Sequence, residues 1–293
     1  MPTTQIIQFA VLAATGILFF VAFVLAVTQA RRLARASAAA GGGLPGQPGI
    51  GNPSRTVLVV GTVAGLGLLL WRAAASRSPA LLMSNPFDAF LAYALLVALT
   101  AVYFCWTRHL RALSFFLLPM VVLLLLLGLL LSLWWGGGGP QASYFNVWTI
   151  LHMVTLIAAT VCFALACVGA AVYLLAVRQL RRKGLNAAHR WIGLPALESV
   201  EHFNRWLIYG GFPLLSIATV AGILRLSEEY RQAAPLTPGA GHTKIVMGIL
   251  SWLVYAVLLH VPLNPSFRGP RAAWLAIAGF ILFLAAFVAA YWR

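Results

Sequence analysis

Charge is what this sequence has least of: aspartate and glutamate together number 5, and all charged types make up 9% of 293 residues, against roughly 25% in an ordinary soluble domain. No two of those acids fall inside one apolar run, so a buried carboxylate relay for ion-coupled transport has nothing to stand on. Cysteine is nearly as scarce. Cys105, Cys162 and Cys167 all fall within apolar runs and read as small packing residues, with no CxxC for thiol exchange and no CxxCH for attaching haem to this chain. There is no Walker loop and no HExxH, so phosphoryl transfer and zinc hydrolysis lack their machinery.

What remains is hydrophobic. Apolar types supply 62% of the residues, in runs of about 20 that match the length of a membrane-crossing helix. Eight spans are expected, over residues 5 to 28, 56 to 71, 87 to 106, 112 to 135, 147 to 177, 206 to 226, 244 to 262 and 272 to 292. The expected fold is therefore all-α, a polytopic transmembrane helix bundle. The first run is too long for a signal-peptide core and follows the uncharged MPTTQ, so it is expected to remain as a span. The Gly/Pro-rich stretch ASAAAGGGLPGQPGIGNPS reads as a linker. It divides residues 1–55, one span plus linker, from a membrane bundle over 56–293.

Positive charge alternates between the loops. Fourteen of the 20 basic residues, including RRLAR, RHLR and RQLRRK, fall on one side, which the positive-inside rule assigns to the cytoplasm. Both termini are then expected on the outer face, with WWGGGGPQASYFN and SEEYRQAAPLTPGAGH. The net charge of +15 sits in short clusters at span ends, where it sets topology and attracts anionic membrane lipid. No nucleic-acid role follows from it.

Imidazoles inside apolar runs call for a partner. His152 lies in the second turn of the fifth span, with Trp148 four residues earlier on the same face. Ala158, Cys162, Ala166 and Ala170 follow as a small-residue seam that lets another helix approach. His260 closes the seventh span, with Trp252 and Tyr255 before it. His242 and Lys244 open that span. His242 and His260 lie five turns apart, about 27 Å along the axis, so one iron cannot take both, whereas His242 and His152 share the outer rim. Each histidine also has a plainer reading, as an interfacial residue or a donor to a carbonyl. His109 and His189 sit in solvated basic clusters. In PALESVEHFNRW, Glu198 and His202, and Glu201 and Arg205, form four-residue pairs on an amphipathic interfacial helix that feeds span six. Asp88, opening span three in SNPFDAF, is accounted for by the helix dipole. Pro119 and the Gly210–Gly211–Pro213 cluster are expected to kink their spans.

From SNPFDAF through LLPMVVLLLLLGLLL, WTILHMV, ACVGAAVYLLAVRQLRRK, LPALESVEHF, GGFPLLSIATVAGIL and SWLVYAVLLH to FRGPRAAWLAIAGF, residues 84–285 resemble the cytochrome c assembly family, the CcsA/HemX-like haem-handling membrane proteins. The resemblance implies a bacterial inner-membrane protein that binds b-type haem and delivers it, in a complex with a partner membrane protein, to apocytochrome c. It implies His152 and His260 as ligands of haem iron, with Trp148, Trp252, Tyr255, His242 and Lys244 around the cofactor. No catalytic side chain is implied. Counting back from His260, Lys244 falls on the lysine of the family's WDPKE-like string, but Gly241, His242, Thr243 and Ile245 replace its other members, and SEEYRQAAPLTPGAG has no tryptophan. The resemblance therefore leaves lyase activity unassigned. Two other readings stand beside haem delivery: a non-catalytic HemX-like accessory or regulatory subunit, and a small-molecule permease, which would show inverted repeats and broken helices.

Overall fold

The structure is a computed structural model that describes residues 14–28, 52–75, 86–107, 111–134, 147–183, 197–232, 240–260 and 269–291. Among them are eight helices and no strand: α1 (Ala14–Thr28), α2 (Asn52–Ala75), α3 (Pro86–Trp106), α4 (Arg111–Trp134), α5 (Val147–Lys183), α6 (Leu197–Gln232), α7 (Ala240–His260) and α8 (Pro270–Tyr291). Six are long and apolar enough to cross a membrane, and α1 and α7 hold shorter apolar stretches. Backbone polar groups have no water to bond in hydrocarbon, which is why the chain satisfies them within helices. The apolar residues left exposed, such as Val63, Leu70, Leu126 and Val220, face lipid in an integral membrane protein. The first nine residues of the first expected span, most of the Gly/Pro-rich linker, His109 and His189 lie outside the described residues.

Two expectations change. The amphipathic segment and span six form one helix, α6, which runs unbroken from Leu197 through Pro213 to Gln232. Its 36 residues extend for about 54 Å, well beyond a hydrocarbon core of about 30 Å, so the polar first turns continue the span instead of turning along the interface. Asp88 is more than an N-terminal charge. Arg72 Nη2 donates to Asp88 Oδ2 at 2.9 Å, and Arg72 Nε donates to Asp88 Oδ1. The guanidinium also lies 4.9 Å from the centre of the Phe87 ring.

The chain divides into two compact units, one of residues Met1–Gly139 and Leu175–Ala196, the other of Pro140–Leu174 and Leu197–Arg293. In the first, glycine sets the helix spacing: a Cβ on Gly128 of α4 would come 2.7 Å from Phe90 Cβ of α3, and one on Gly65 of α2 would come 2.6 Å from Leu95 Cδ2. The Arg72–Asp88 pair then ties the end of α2 to the start of α3. In the second unit Phe163 of α5 stacks on Tyr255 of α7, centroids 3.5 Å apart and planes within 12°, and meets Phe283 of α8 edge-on. The seam on α5 works as its spacing suggests, for a Cβ on Gly211 of α6 would stand 3.0 Å from Cys162 Cβ and 2.8 Å from Phe163 Cε1.

With side-chain exposures of 13% and 6%, Arg72 and Asp88 are desolvated, so removing one strands the other. Asp88→Ala should cost about 3 kcal/mol or more and lower the unfolding temperature in detergent, while the Arg72→Leu/Asp88→Leu double variant recovers most of the loss.

Candidate functional site

The second unit contains His152, His242, His260 and the aromatic residues singled out with them in the sequence. His152, in the second turn of α5, is half-buried against α6, with Nδ1 2.6 Å from the carbonyl oxygen of Ala218. A carbonyl only accepts, so Nδ1 carries the proton and donates it, and Nε2 is left with the lone pair. A helix carbonyl has two lone pairs and accepts this bond beside its own intrahelical one. The ring reaches the carbonyl because position 222, one turn on, is glycine: a Cβ there would stand 2.9 Å from His152 Nδ1 and 3.0 Å from Cε1. Trp148, one turn before His152, is half-buried. Thr155, one turn nearly complete beyond it, is turned back on its own helix, donating to the Leu151 carbonyl at 2.6 Å.

The aromatic residues of α7 meet α6 and α5 at successive levels. Trp252 Nε1 donates to Ser216 Oγ at 2.9 Å, and its rings lie 5.3 Å from Phe212. Ser216 and Ala218 are two residues apart on α6, about 3 Å along the axis, so Trp252 and His152 engage neighbouring levels of one helix. Tyr255 is fully buried, and its hydroxyl has no hydrogen-bond partner among the described residues. His260, at the last residue of α7, is exposed, with Nδ1 2.8 Å from the Ala256 carbonyl of its own helix. His242 and Lys244 fall in the first turns of α7, and their side chains lie outside the described residues.

His152 and His260 are therefore not brought together. His152 sits at Ala218 and Gly222, whereas Leu258, two residues before His260, shares a cavity with Ile208. From Gly222 back to Ile208 is about 21 Å of helix, so the two imidazoles occupy opposite ends of the unit and cannot share one metal ion. Among the described residues no three His, Cys, Asp or Glu side chains gather closely enough to hold a bare ion.

The sequence reading passed over two contacts here. Asn204 of α6 fits against Gly169 of α5, where any Cβ would collide with Asn204 Oδ1, and Gly222 cradles His152. The signal for the second was present in Ala218 and Gly222, small residues one turn apart on a helix that must face an imidazole. Of the interfacial pairs, Glu201 and Arg205 do meet, at 3.7 Å, while His202 Nε2 accepts from Trp206 Nε1 at 2.8 Å.

A model of the cytochrome c assembly protein family matches residues 83–293. Among curated proteins the chain is similar to the cytochrome c biogenesis protein CcsA of Porphyra purpurea, 34% identical over 86 residues that make up 29% of this chain and 25% of that protein. It is also similar to the CcsA of Guillardia theta, 33% identical over 86 residues (29% and 27%), and of a Nostoc species, 30% identical over 89 residues (30% and 24%). The matched stretch thus spans about a quarter of the length of these relatives. No solved structure matches the chain significantly.

The contact at Gly222 gives a stability test. Gly222→Ala must push the His152 ring aside and should cost about 1–3 kcal/mol as an overpacked site, seen as a lower unfolding temperature. Gly248→Ala, with nothing within 4 Å of the added methyl, should leave that temperature unchanged or raise it.

Proposed function

The chain belongs to the cytochrome c assembly protein family, and on that premise we propose that it binds b-type haem in the membrane and delivers it for cytochrome c biogenesis. The observation that carries the reading is the His152–Ala218 hydrogen bond. An imidazole that ligates a metal commonly donates its other ring N–H to a carbonyl, which fixes the tautomer and raises the basicity of the ligating nitrogen. His152 has that arrangement, with Nε2 as the nitrogen left to bind iron. Trp148, one turn away, supplies a flat apolar surface of the kind a macrocycle packs against.

His260 has the same tautomer by the same reasoning, and its distance from His152 makes it a second, separate ligand position. Under the positive-inside assignment α5 starts and α6 ends on the outer face, so His152 is the outer ligand and His260 the inner one. The start of α7 returns to the outer face, which makes His242 the candidate partner of His152 and Lys244 a counter-charge for a propionate. Both termini are outer, and the membrane is the bacterial inner membrane.

His152 would hold a haem, whose chemistry when bound would be addition of apocytochrome c thiols to its vinyl groups, with a partner membrane protein bringing up the apocytochrome. This chain would contribute position, an imidazole nitrogen for the iron and the exclusion of water. Among the described residues no side chain bonded to His152 is a nucleophile, and any catalysis would amount to presenting the cofactor. The tryptophan-free stretch SEEYRQAAPLTPGAG favours one alternative, a non-catalytic accessory subunit of the same assembly system. A permease is less well supported, because α6 is continuous where broken helices would be needed.

Protein purified from haem-replete cells should show a Soret band, and His152→Ala should remove most of it while leaving the helical circular dichroism intact. A Soret band unchanged in His152→Ala would overturn the assignment. His242→Ala should alter the low-spin spectrum, and an unaltered spectrum would remove His242 from the ligand set. Loss of cytochrome c maturation in a deletion strain would favour delivery over the accessory reading.

A further inference from the structure

Away from His152, at the end of the second unit where α6 begins, a crevice of about 60 Å³ is lined by polar and apolar residues from α5, α6, α7 and α8. A wider polar space of about 480 Å³ shares Tyr173, Glu201 and Arg205 with it and adds Glu198 and His202. We infer that this is a binding site for one phosphatidylethanolamine molecule, its ammonium held by Glu198 and Glu201 and its phosphate by Arg205.

Its depth places it among lipid head groups. Because α6 is about 54 Å long against a hydrocarbon core of about 30 Å, its first two turns stand at the head-group level. Trp206 and Trp274, both 64% exposed, mark the same level, as interfacial tryptophans do. Further in, Ile208, Leu258, Ala273 and Ala276 make the crevice apolar, suited to the first carbons of a lipid whose chains lie along the exposed helix faces.

Charge narrows the choice of head group. Glu198 and Glu201 are two of the 5 acidic residues in the whole chain, and they lie one turn apart on one face of α6. Arg205 follows one turn later, yet at 3.7 Å from Glu201 it is beyond normal hydrogen-bond length, which leaves carboxylate and guanidinium with capacity for other partners. Asn204 also lines the crevice, with its Oδ1 packed against Gly169 of α5. The mouth is kept open by Gly269, whose φ of 77° favours glycine and where a Cβ would stand 3.2 Å from the Tyr173 hydroxyl.

A purely anionic head group meets two glutamates here. A choline head group carries the positive charge but no N–H, and so cannot donate to the carboxylates of Glu198 and Glu201. Ethanolamine supplies three N–H donors beside a phosphate and matches both signs. The basic clusters elsewhere on the chain attract anionic lipid without such selection.

Native mass spectrometry of the full chain tests this, with phosphatidylethanolamine, phosphatidylcholine and phosphatidylglycerol of identical acyl chains offered in turn. One phosphatidylethanolamine should be retained, preferred about fivefold over each of the others, the scale of a partly exposed charge network. Glu198→Gln/Glu201→Gln should abolish the preference, and Ala273→Leu should fill the crevice and reduce retention with the charges intact, circular dichroism confirming the fold of each. Equal or greater retention of either competing lipid, no retained lipid, or a preference that survives the double glutamine variant overturns the proposal. The wild-type series decides the matter even if a variant fails to fold.

Discussion

The hydrogen bond between His152 Nδ1 and the Ala218 carbonyl, 2.6 Å long, depends on a general rule of apolar surroundings: a polar group taken out of water must find its partner in the protein. Meeting that need fixes more than the ring. It sets the tautomer, turns Nε2 away from the bonded carbonyl, and requires α5 and α6 to run close enough that only glycine fits at position 222. Gly211 against Cys162 and Phe163, and Gly169 against Asn204, maintain the same closeness further along the helix pair. The geometry of the candidate site is thus a consequence of small residues placed along two long helices.

The same rule explains which features could be read in advance. Runs of apolar residues specify spans because each helix bonds its own backbone, and the eight expected spans correspond to the eight described helices with ends shifted by several residues. Chemistry confined to one helix was also visible: Glu201 with Arg205, and the seam at Cys162. Contacts between helices were not. Nothing local to Asp88 reveals that Arg72, sixteen residues earlier, bonds it, since a carboxylate at a helix start is satisfied equally well by the dipole. Likewise nothing local to Asn204 says that Gly169 lies opposite. The polar turns of α6 read as a separate interfacial helix since periodicity marks amphipathicity but not the direction in which the chain leaves the membrane.

Two ends of the second unit carry different chemistry. Where α5 begins, His152 donates to the Ala218 carbonyl and Trp252 meets Ser216 at a neighbouring level of α6. Where α6 begins, Glu201 and Arg205 line a crevice whose inner wall is apolar. Between them lies the aromatic stack of Phe163 and Tyr255, closely packed and dry. The two ends are therefore separate places in the unit.

Chemical rescue addresses the central claim, that His152 binds iron through Nε2, most directly. His152→Gly removes the ligand and leaves a space at α6, and imidazole added to the purified variant together with haem should restore a low-spin Soret spectrum as its concentration rises. If the variant binds haem as the wild type does without imidazole, or if imidazole restores nothing while the helices remain folded, His152 is not the ligand.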